Sequence, residues 1–228
     1  MPSRADAERL RLAQAGVRSL VERDLRAMFP SLNLSRPEDA AAALRAYVPA
    51  LVRQYGEAAA TISADWYDEV RAAGHVPGRF RAVIAESPYQ DASEGLARRA
   101  AGALFTSTPG DALTALLPAV GKYVLAAGRQ TIATSTLRDP RAVGWQRVTR
   151  SGSCAFCRGL SSRGDVYKEA TVHFAAHGDC NCAAVPSWDQ HAPEVDVSVY
   201  EASRRTTGMT PAQKADHNAR IQTWLASV

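Results

Sequence analysis

The sequence predicts a mainly α-helical protein: an N-terminal helical region, then a small α+β domain around a cluster of cysteines, then C-terminal helices. Three observations predict this. Apolar residues recur at helical spacing through residues 1–137, and the side-chain period changes to two just after that region. All four cysteines lie in residues 154–182. We therefore divide the chain into residues 1–137, 138–190 and 191–228.

The first two helices are predicted from apolar stripes and from their end signals. The first covers residues 4–28, with apolar side chains on one side and charged side chains on the other. The second begins after Ser35, a candidate N-cap, and ends at Gly74. Pro49 lies inside the second stripe, so we expect it to kink this helix or divide it in two. Trp66 is expected in the core.

A break at residues 74–88, with space for a short extended piece, separates these helices from two more. The third covers residues 90–105. The fourth starts at Thr108-Pro109, where threonine caps the helix and proline opens it. It ends close to residues 137–144, which contain an Asp-Pro dipeptide and form the predicted domain boundary.

After this boundary the pattern is that of strands. Residues 145–150 alternate as in a short strand, and residues 183–185 can pair with it. Residues 197–205 are expected to form a short helix. Thr210-Pro211 then caps and opens a last helix that runs through Trp224.

The cysteines form two groups, Cys154-x-x-Cys157 and His177-x-x-Cys180-x-Cys182. A CxxC pair can direct two sulfurs at one point, and a second turn with His and Cys can complete a tetrahedron around one zinc ion. A region this small buries little apolar surface, so the metal would supply the missing stability. A site with four protein ligands has no open position for water, which predicts a structural role. Two disulfides, or four unrelated thiols, are the alternatives.

The predicted zinc ligands are Cys154, Cys157, His177 and Cys180. Cys182 is the alternative to His177 as the fourth ligand. We favour His177, because we expect the side chains of an extended Cys180-x-Cys182 pair to point away from each other. His173 is a weaker candidate, because its neighbours have a strand pattern in which a lone histidine is more often packed.

The residues around this site resemble a known family. The resemblance is carried by Trp145-x-Arg147-Val148-Thr149, the CxxC motif, Val166-Tyr167 after a glycine, the His177 to Cys182 motif, and Pro186. Over residues 145–188 the sequence resembles the MuF-like domain of minor head proteins of tailed bacteriophages, similar to protein F of phage Mu. The resemblance implies a minor capsid protein, a structural component of the virion at the portal vertex or in the capsid interior. It implies the portal or major capsid protein as partner, with packaged DNA as a further one, and a role in head assembly or in DNA packaging and delivery.

Composition narrows the class of protein. Hydrophobic residues make up 46% and charged residues 22% of the 228 residues, which is ordinary for a globular protein. No apolar run approaches the roughly 18 residues of a transmembrane helix, so no membrane association is expected. The N-terminus begins with charged residues rather than an apolar signal region, so we expect synthesis in the host cytosol. Thiols stay reduced there, which favours a metal over disulfides.

Two other function classes remain open. A DNA-binding zinc module is supported by the net charge of +4, although few basic residues lie between Cys157 and Cys180: Arg158, Arg163 and Lys168.

An enzyme, such as a capsid maturation protease, would use Cys157 with His173 or His177 as a nucleophile pair. The sequence contains no GxSxG, HExxH or glycine-rich phosphate loop, so we assign no catalytic residue and expect no small-molecule substrate. A thioredoxin-like pair is not expected, because a polar turn precedes the CxxC motif.

Overall fold

The computed structural model describes residues 2–105, 110–149, 153, 155–161, 167, 180–193 and 208–226. The elements in chain order are α1 (Arg4–Met28), α2 (Pro37–Ala73), α3 (Gln90–Ala103), α4 (Asp111–Arg138), β1 (Gly144–Val148), α5 (Ala155–Ser161), β2 (Ala183–Ser187) and α6 (Pro211–Ala226). The expectation of a mainly helical protein with a small sheet is therefore confirmed. Among the described residues, no helix is both long enough and apolar enough to cross a membrane. The helix predicted at residues 197–205 lies outside these residues.

Local capping explains where α1 and α2 begin. At α1, the Ser3 hydroxyl accepts a hydrogen bond from the Asp6 backbone N–H at 3.1 Å, and the Asp6 carboxylate accepts one from the Ser3 N–H at 3.0 Å. At α2, the prediction that Ser35 is the N-cap is wrong, because the helix begins at Pro37 and no side chain caps it. Proline has no N–H to satisfy and its fixed φ suits the first helical turn, so Pro37 can begin the helix without a side-chain cap.

Pro49 does not divide α2, which runs unbroken for 37 residues. Leu44, Val48 and Val52 flank the proline and are fully buried in the core of the helical region. Burial of these side chains holds both halves of α2 against the same neighbours, which offsets the cost of about 3 kcal/mol for an interior proline. α2 ends at Ala73, next to the predicted Gly74.

The starts of the later helices are only partly tested. α4 begins at Asp111, whereas the predicted cap and first-turn proline, Thr108-Pro109, lie outside the described residues. α6 begins as predicted, since the Thr210 hydroxyl accepts a hydrogen bond from the Gln213 N–H at 3.3 Å.

An extended segment after α2 lies across α2 and α4. Its backbone N–H groups donate to side chains of these helices: Ala82 to Asp68 Oδ1 at 2.8 Å, Val83 to Ser135 Oγ at 2.9 Å and Ala85 to Thr131 Oγ1 at 3.0 Å. The predicted extended piece is therefore present, and helix side chains satisfy its backbone donors in place of a neighbouring strand.

The sheet packs directly on the helices. β1 and β2 pair antiparallel as predicted, with Trp145 opposite Pro186 and Arg147 opposite Ala184. One hydrophobic core contains residues from α1, α2, α4 and both strands: Leu10, Trp66, Tyr67, Ile132, Trp145 and Ala184 among others. The core position predicted for Trp66 is confirmed. The boundary predicted at residues 137–144 stays a prediction, and this core extends across it.

Asp139, at the end of α4, joins the helices to the segment after β2. Its buried carboxylate accepts hydrogen bonds from Arg71 Nε at 2.8 Å, Tyr67 Oη at 3.1 Å, Trp188 Nε1 at 3.1 Å and the Arg141 N–H at 3.0 Å. Burial alone would raise the pKa of Asp139, but the bonds from Arg71 and Trp188 outweigh it and hold this pKa below its usual value. The carboxylate therefore fixes the end of α2, the end of α4 and Trp188 at one point.

Candidate metal centre

Three cysteines from two separate stretches of the chain meet beside the sheet. Cys157 lies on α5, while Cys180 and Cys182 lie directly before β2. The three Sγ atoms all lie within 4.8 Å of one another, and each residue is only 2% exposed. The sulfurs of Cys157 and Cys180 are 3.8 Å apart, and no disulfide joins any two of the three.

The sulfur geometry fits a metal ion. Tetrahedral zinc with Zn–S bonds of about 2.3 Å separates its sulfurs by about 3.8 Å. A disulfide would bring two sulfurs to about 2.05 Å. The distance of 3.8 Å between Cys157 and Cys180 therefore matches two ligands of one ion. Thiolates are soft ligands that zinc and related metals prefer, so these three buried cysteines can hold a metal ion.

The expectation that Cys180 and Cys182 point apart is wrong, because both sulfurs lie in the same cluster. In an extended chain successive side chains alternate, so residues separated by one neighbour lie on the same face. Geometry therefore does not disfavour Cys182 as a ligand beside Cys180.

Several predicted ligands lie outside the described residues: Cys154, His173 and His177. The predicted ligand set and the zinc-knuckle domain therefore stay predictions. α5 begins at Ala155, so Cys157 lies in the first turn of a short helix rather than in a simple turn. A βαβ unit of the thioredoxin kind is not formed by β1 and β2, because these two strands are antiparallel.

A residue that sequence reasoning missed, Arg129, contacts the cysteine segment from the middle of α4. It is 1% exposed. Its Nε donates to the Cys182 carbonyl at 3.0 Å and its Nη2 donates to the Cys180 carbonyl at 2.7 Å. A sequence signal exists, because Arg129 follows Leu125 by four positions and precedes Ile132 by three, and both are core residues. Helical periodicity thus places this arginine on the buried face.

The cluster favours one thiolate. The pKa of the Cys180 thiol is lowered, first by hydrogen bonds from the thiols of Cys157 and Cys182 and then by the charge of Arg129. The pKa of Cys157 is raised by its hydrogen bonds to the same neighbours and by burial. The thiolate is the form that binds metals, so the positive charge of Arg129 beside the cluster favours metal binding there.

Comparison with known proteins places this architecture in a family. A family model described as VG15 protein matches residues 1–206. The chain belongs to the VG15 protein family. This is a family of phage or viral gene proteins. No significant match was found among curated proteins or solved structures.

The VG15 match covers the helical region and the cysteine stretch together. It includes Arg129 and all four cysteines, and it ends before α6. The cysteine cluster and the helix that contacts it therefore both lie within the matched part of this VG15 protein.

Proposed function

We propose that this VG15 protein is a minor capsid protein of a tailed bacteriophage. In this role it is a structural component of the virion, associates with the portal or the capsid interior, and aids head assembly or DNA packaging and delivery. The family match over residues 1–206 carries the proposal, because it gives a phage or viral gene product. The MuF-like resemblance over residues 145–188 supports the finer assignment to minor head proteins.

The proposal includes one structural zinc ion. Cys157, Cys180 and Cys182 supply three thiolates, and Cys154 or His177 supplies the fourth ligand. The burial of the three sulfurs and their spacing support a closed site, which serves stability rather than catalysis. Zinc would join α5 to the segment before β2, two stretches that are distant in sequence.

Elemental analysis of protein purified without chelator tests the metal. We expect about one zinc per chain, and loss of the metal in Cys180→Ser. Comparing Cys182→Ser with His177→Ala identifies the ligands, because only a true ligand should release the metal when it is changed. Metal-free protein in which all four thiols react as free groups would disprove the zinc site.

The helical region offers surface for a protein partner. Leu12 and Leu20 on α1 are 56% and 43% exposed, and they lie eight residues apart, two turns along the helix. Changing both to serine leaves the core intact because neither is buried. Ile84, 58% exposed on the extended segment, provides a matched control for loss of an exposed apolar side chain.

The association is tested by co-expressing the full chain with the portal protein or the major capsid protein of the same phage. Co-purification with either protein, reduced by the Leu12→Ser/Leu20→Ser variant and retained by Ile84→Ser, supports docking through α1. Co-purification that neither variant changes supports the minor capsid role and places the contact elsewhere.

Two outcomes would replace this proposal with the other function classes. Sedimentation with DNA-filled but not with empty capsids, and direct binding to DNA without portal or capsid protein, would favour the DNA-binding class. Cleavage of a scaffold or capsid protein that is lost in Cys157→Ala would favour the protease.

A further inference from the structure

The segment that holds Cys180 and Cys182 has no strand partner of its own in the described sheet. The register of β1 and β2 covers residues 183–187 and stops one residue after Cys182. The backbone that sets the direction of both sulfurs is therefore fixed by something other than the ladder. Two of its carbonyl groups are bound by the Arg129 guanidinium, at 2.7 Å and 3.0 Å.

We propose that Arg129 is the positioning residue of the metal centre. Its two N–H groups hold the carbonyls of Cys180 and Cys182 so that both thiolates bind the same soft divalent metal ion. This role rests on the metal centre proposed above.

The geometry explains why an arginine is needed. The Nε and Nη2 N–H groups lie on one edge of the planar guanidinium and point in parallel, which suits two acceptors side by side. Both carbonyls accept from this edge, that of Cys180 at 2.7 Å and that of Cys182 at 3.0 Å. Holding both carbonyls fixes the intervening peptide units, and with them the Cα–Cβ directions of Cys180 and Cys182. Lysine keeps the charge but lacks this rigid pair of donors.

Charge supplies a second reason. A divalent ion with three or more thiolates is a net anion, and a buried guanidinium needs negative charge near it. Arg129 is 1% exposed, and its guanidinium lies against the segment that holds Cys180 and Cys182. Arg129 and the metal–thiolate group thus stabilise each other in the interior. This reciprocity predicts that weakening Arg129 weakens metal binding specifically.

Arg71 provides a matched control within the same protein. It is also a buried arginine, and it donates to backbone carbonyls, of Gly78 at 2.8 Å and Pro77 at 3.1 Å, as well as to Asp139. Asp139 follows Arg129 by ten residues, about 15 Å along α4. Arg71 variants therefore lose a buried arginine of similar structural importance at a distance from the sulfurs.

The experiment measures metal affinity in the full-length chain by competition with a chromophoric chelator, with zinc as the probe, for wild type and for four variants. Arg129→Lys should bind zinc about 10-fold more weakly and Arg129→Met about 100-fold more weakly, the range found when residues that orient metal ligands are changed. Arg71→Lys and Arg71→Met should lower the melting temperature but leave the affinity of the folded protein unchanged.

Replacing zinc with cobalt gives a spectroscopic measurement that a loss of protein stability alone would not change. The intensity of the thiolate-to-cobalt charge-transfer band reports the number of bound thiolates. It should fall in both Arg129 variants and stay at the wild-type value in both Arg71 variants. If Arg129→Met does not fold, Arg129→Lys decides the question.

The outcomes separate the two proposals. Wild-type affinity and cobalt spectra in folded Arg129 variants, or equal losses in the Arg129 and Arg71 variants, would overturn the positioning role while leaving the metal centre standing. Failure of the wild-type chain itself to bind zinc or cobalt would overturn the metal centre and the role of Arg129 with it.

Discussion

Gly128 lies where α4 packs tightly against α1 and α2, and replacing it with alanine should destabilise the protein. A Cβ at this position would lie 2.6 Å from the Ser63 hydroxyl and 2.9 Å from both the Ala59 carbonyl and Gln14 Nε2. These atoms already bond one another, since Gln14 Nε2 donates to Ser63 Oγ at 3.1 Å and Ser63 Oγ donates to the Ala59 carbonyl at 2.7 Å. The methyl group therefore cannot be accommodated without moving α4 or breaking a buried hydrogen bond.

The loss of stability in Gly128→Ala is the sum of contributions of opposite sign to the free energy of unfolding. Overpacking a close-packed site costs about 1–3 kcal/mol. Leaving a buried amide or hydroxyl unpaired costs about 1–3 kcal/mol more if the bond between Gln14 and Ser63 breaks. Alanine in place of glycine inside a helix returns about 1 kcal/mol. The net loss in Gly128→Ala with that bond broken is therefore about 1–5 kcal/mol, and the central value of about 3 kcal/mol corresponds to about 6–12 °C in melting temperature for a chain of this size.

Gly16, in the interior of α1, is the matched control. A Cβ there would have no heavy atom within 4 Å, so Gly16→Ala should stabilise the protein by about 1 kcal/mol through helix propensity alone. Urea denaturation followed by circular dichroism measures both variants. The gain in helix propensity is the same in both variants. The difference between their changes in the free energy of unfolding therefore isolates the packing cost at Gly128. Equal stabilisation by the two alanines would refute the close approach of α4.

Two further predictions concern buried hydrogen bonds that connect the helices to one another and to the rest of the chain. Asp139→Asn should cost about 3 kcal/mol at neutral pH, because it leaves the buried guanidinium of Arg71 without its carboxylate. The pKa of Asp139 is lowered in the folded state, so its stabilisation is present above the unfolded pKa of about 3.9 and is lost as the pH falls through the folded value. Urea midpoints from pH 7 to pH 3 should therefore fall less steeply in Asp139→Asn than in wild type, and parallel curves would contradict this. Trp66→Phe should cost about 1–2 kcal/mol by thermal unfolding, because it removes the hydrogen bond from Trp66 Nε1 to the Asp6 carbonyl at 2.9 Å and part of a buried side chain; an unchanged melting temperature would contradict it.

Local patterns were enough to predict most of the elements. The bounds of α1, the end of α2 at Gly74 and the pairing of β2 with β1 follow from apolar period, caps and turn residues that neighbours in sequence provide. Local rules failed where tertiary packing acted against them. Pro49 carries a signal for a kink or a division of the helix, yet burial on both sides keeps α2 continuous.

Part of the candidate site could likewise be predicted from local sequence, and part could not. Sequence spacing predicted that Cys157 and Cys180 would come together, but it led us to expect the sulfur of Cys182 to point away from that of Cys180. The structure brings Cys157 to Cys180 as predicted, and it adds Cys182 to the same cluster. The partner that holds the C-x-C segment could not be identified from spacing, since Arg129 lies more than 50 positions away from Cys180 and Cys182 and reaches them only through the fold.

By itself, therefore, the sequence determined most of the long helices, the two strands and the stretch that carries the clustered cysteines, because each depends on residues a few positions apart. The tertiary structure decided that the helices and the sheet share one core, that Asp139 ties the end of α2 to the end of α4, and that a buried arginine faces the cysteine segment. These features depend on which side chains meet after α4 packs against α2 and β2. Burial makes such contacts strong, because a buried charge or polar group must find its partner inside the protein.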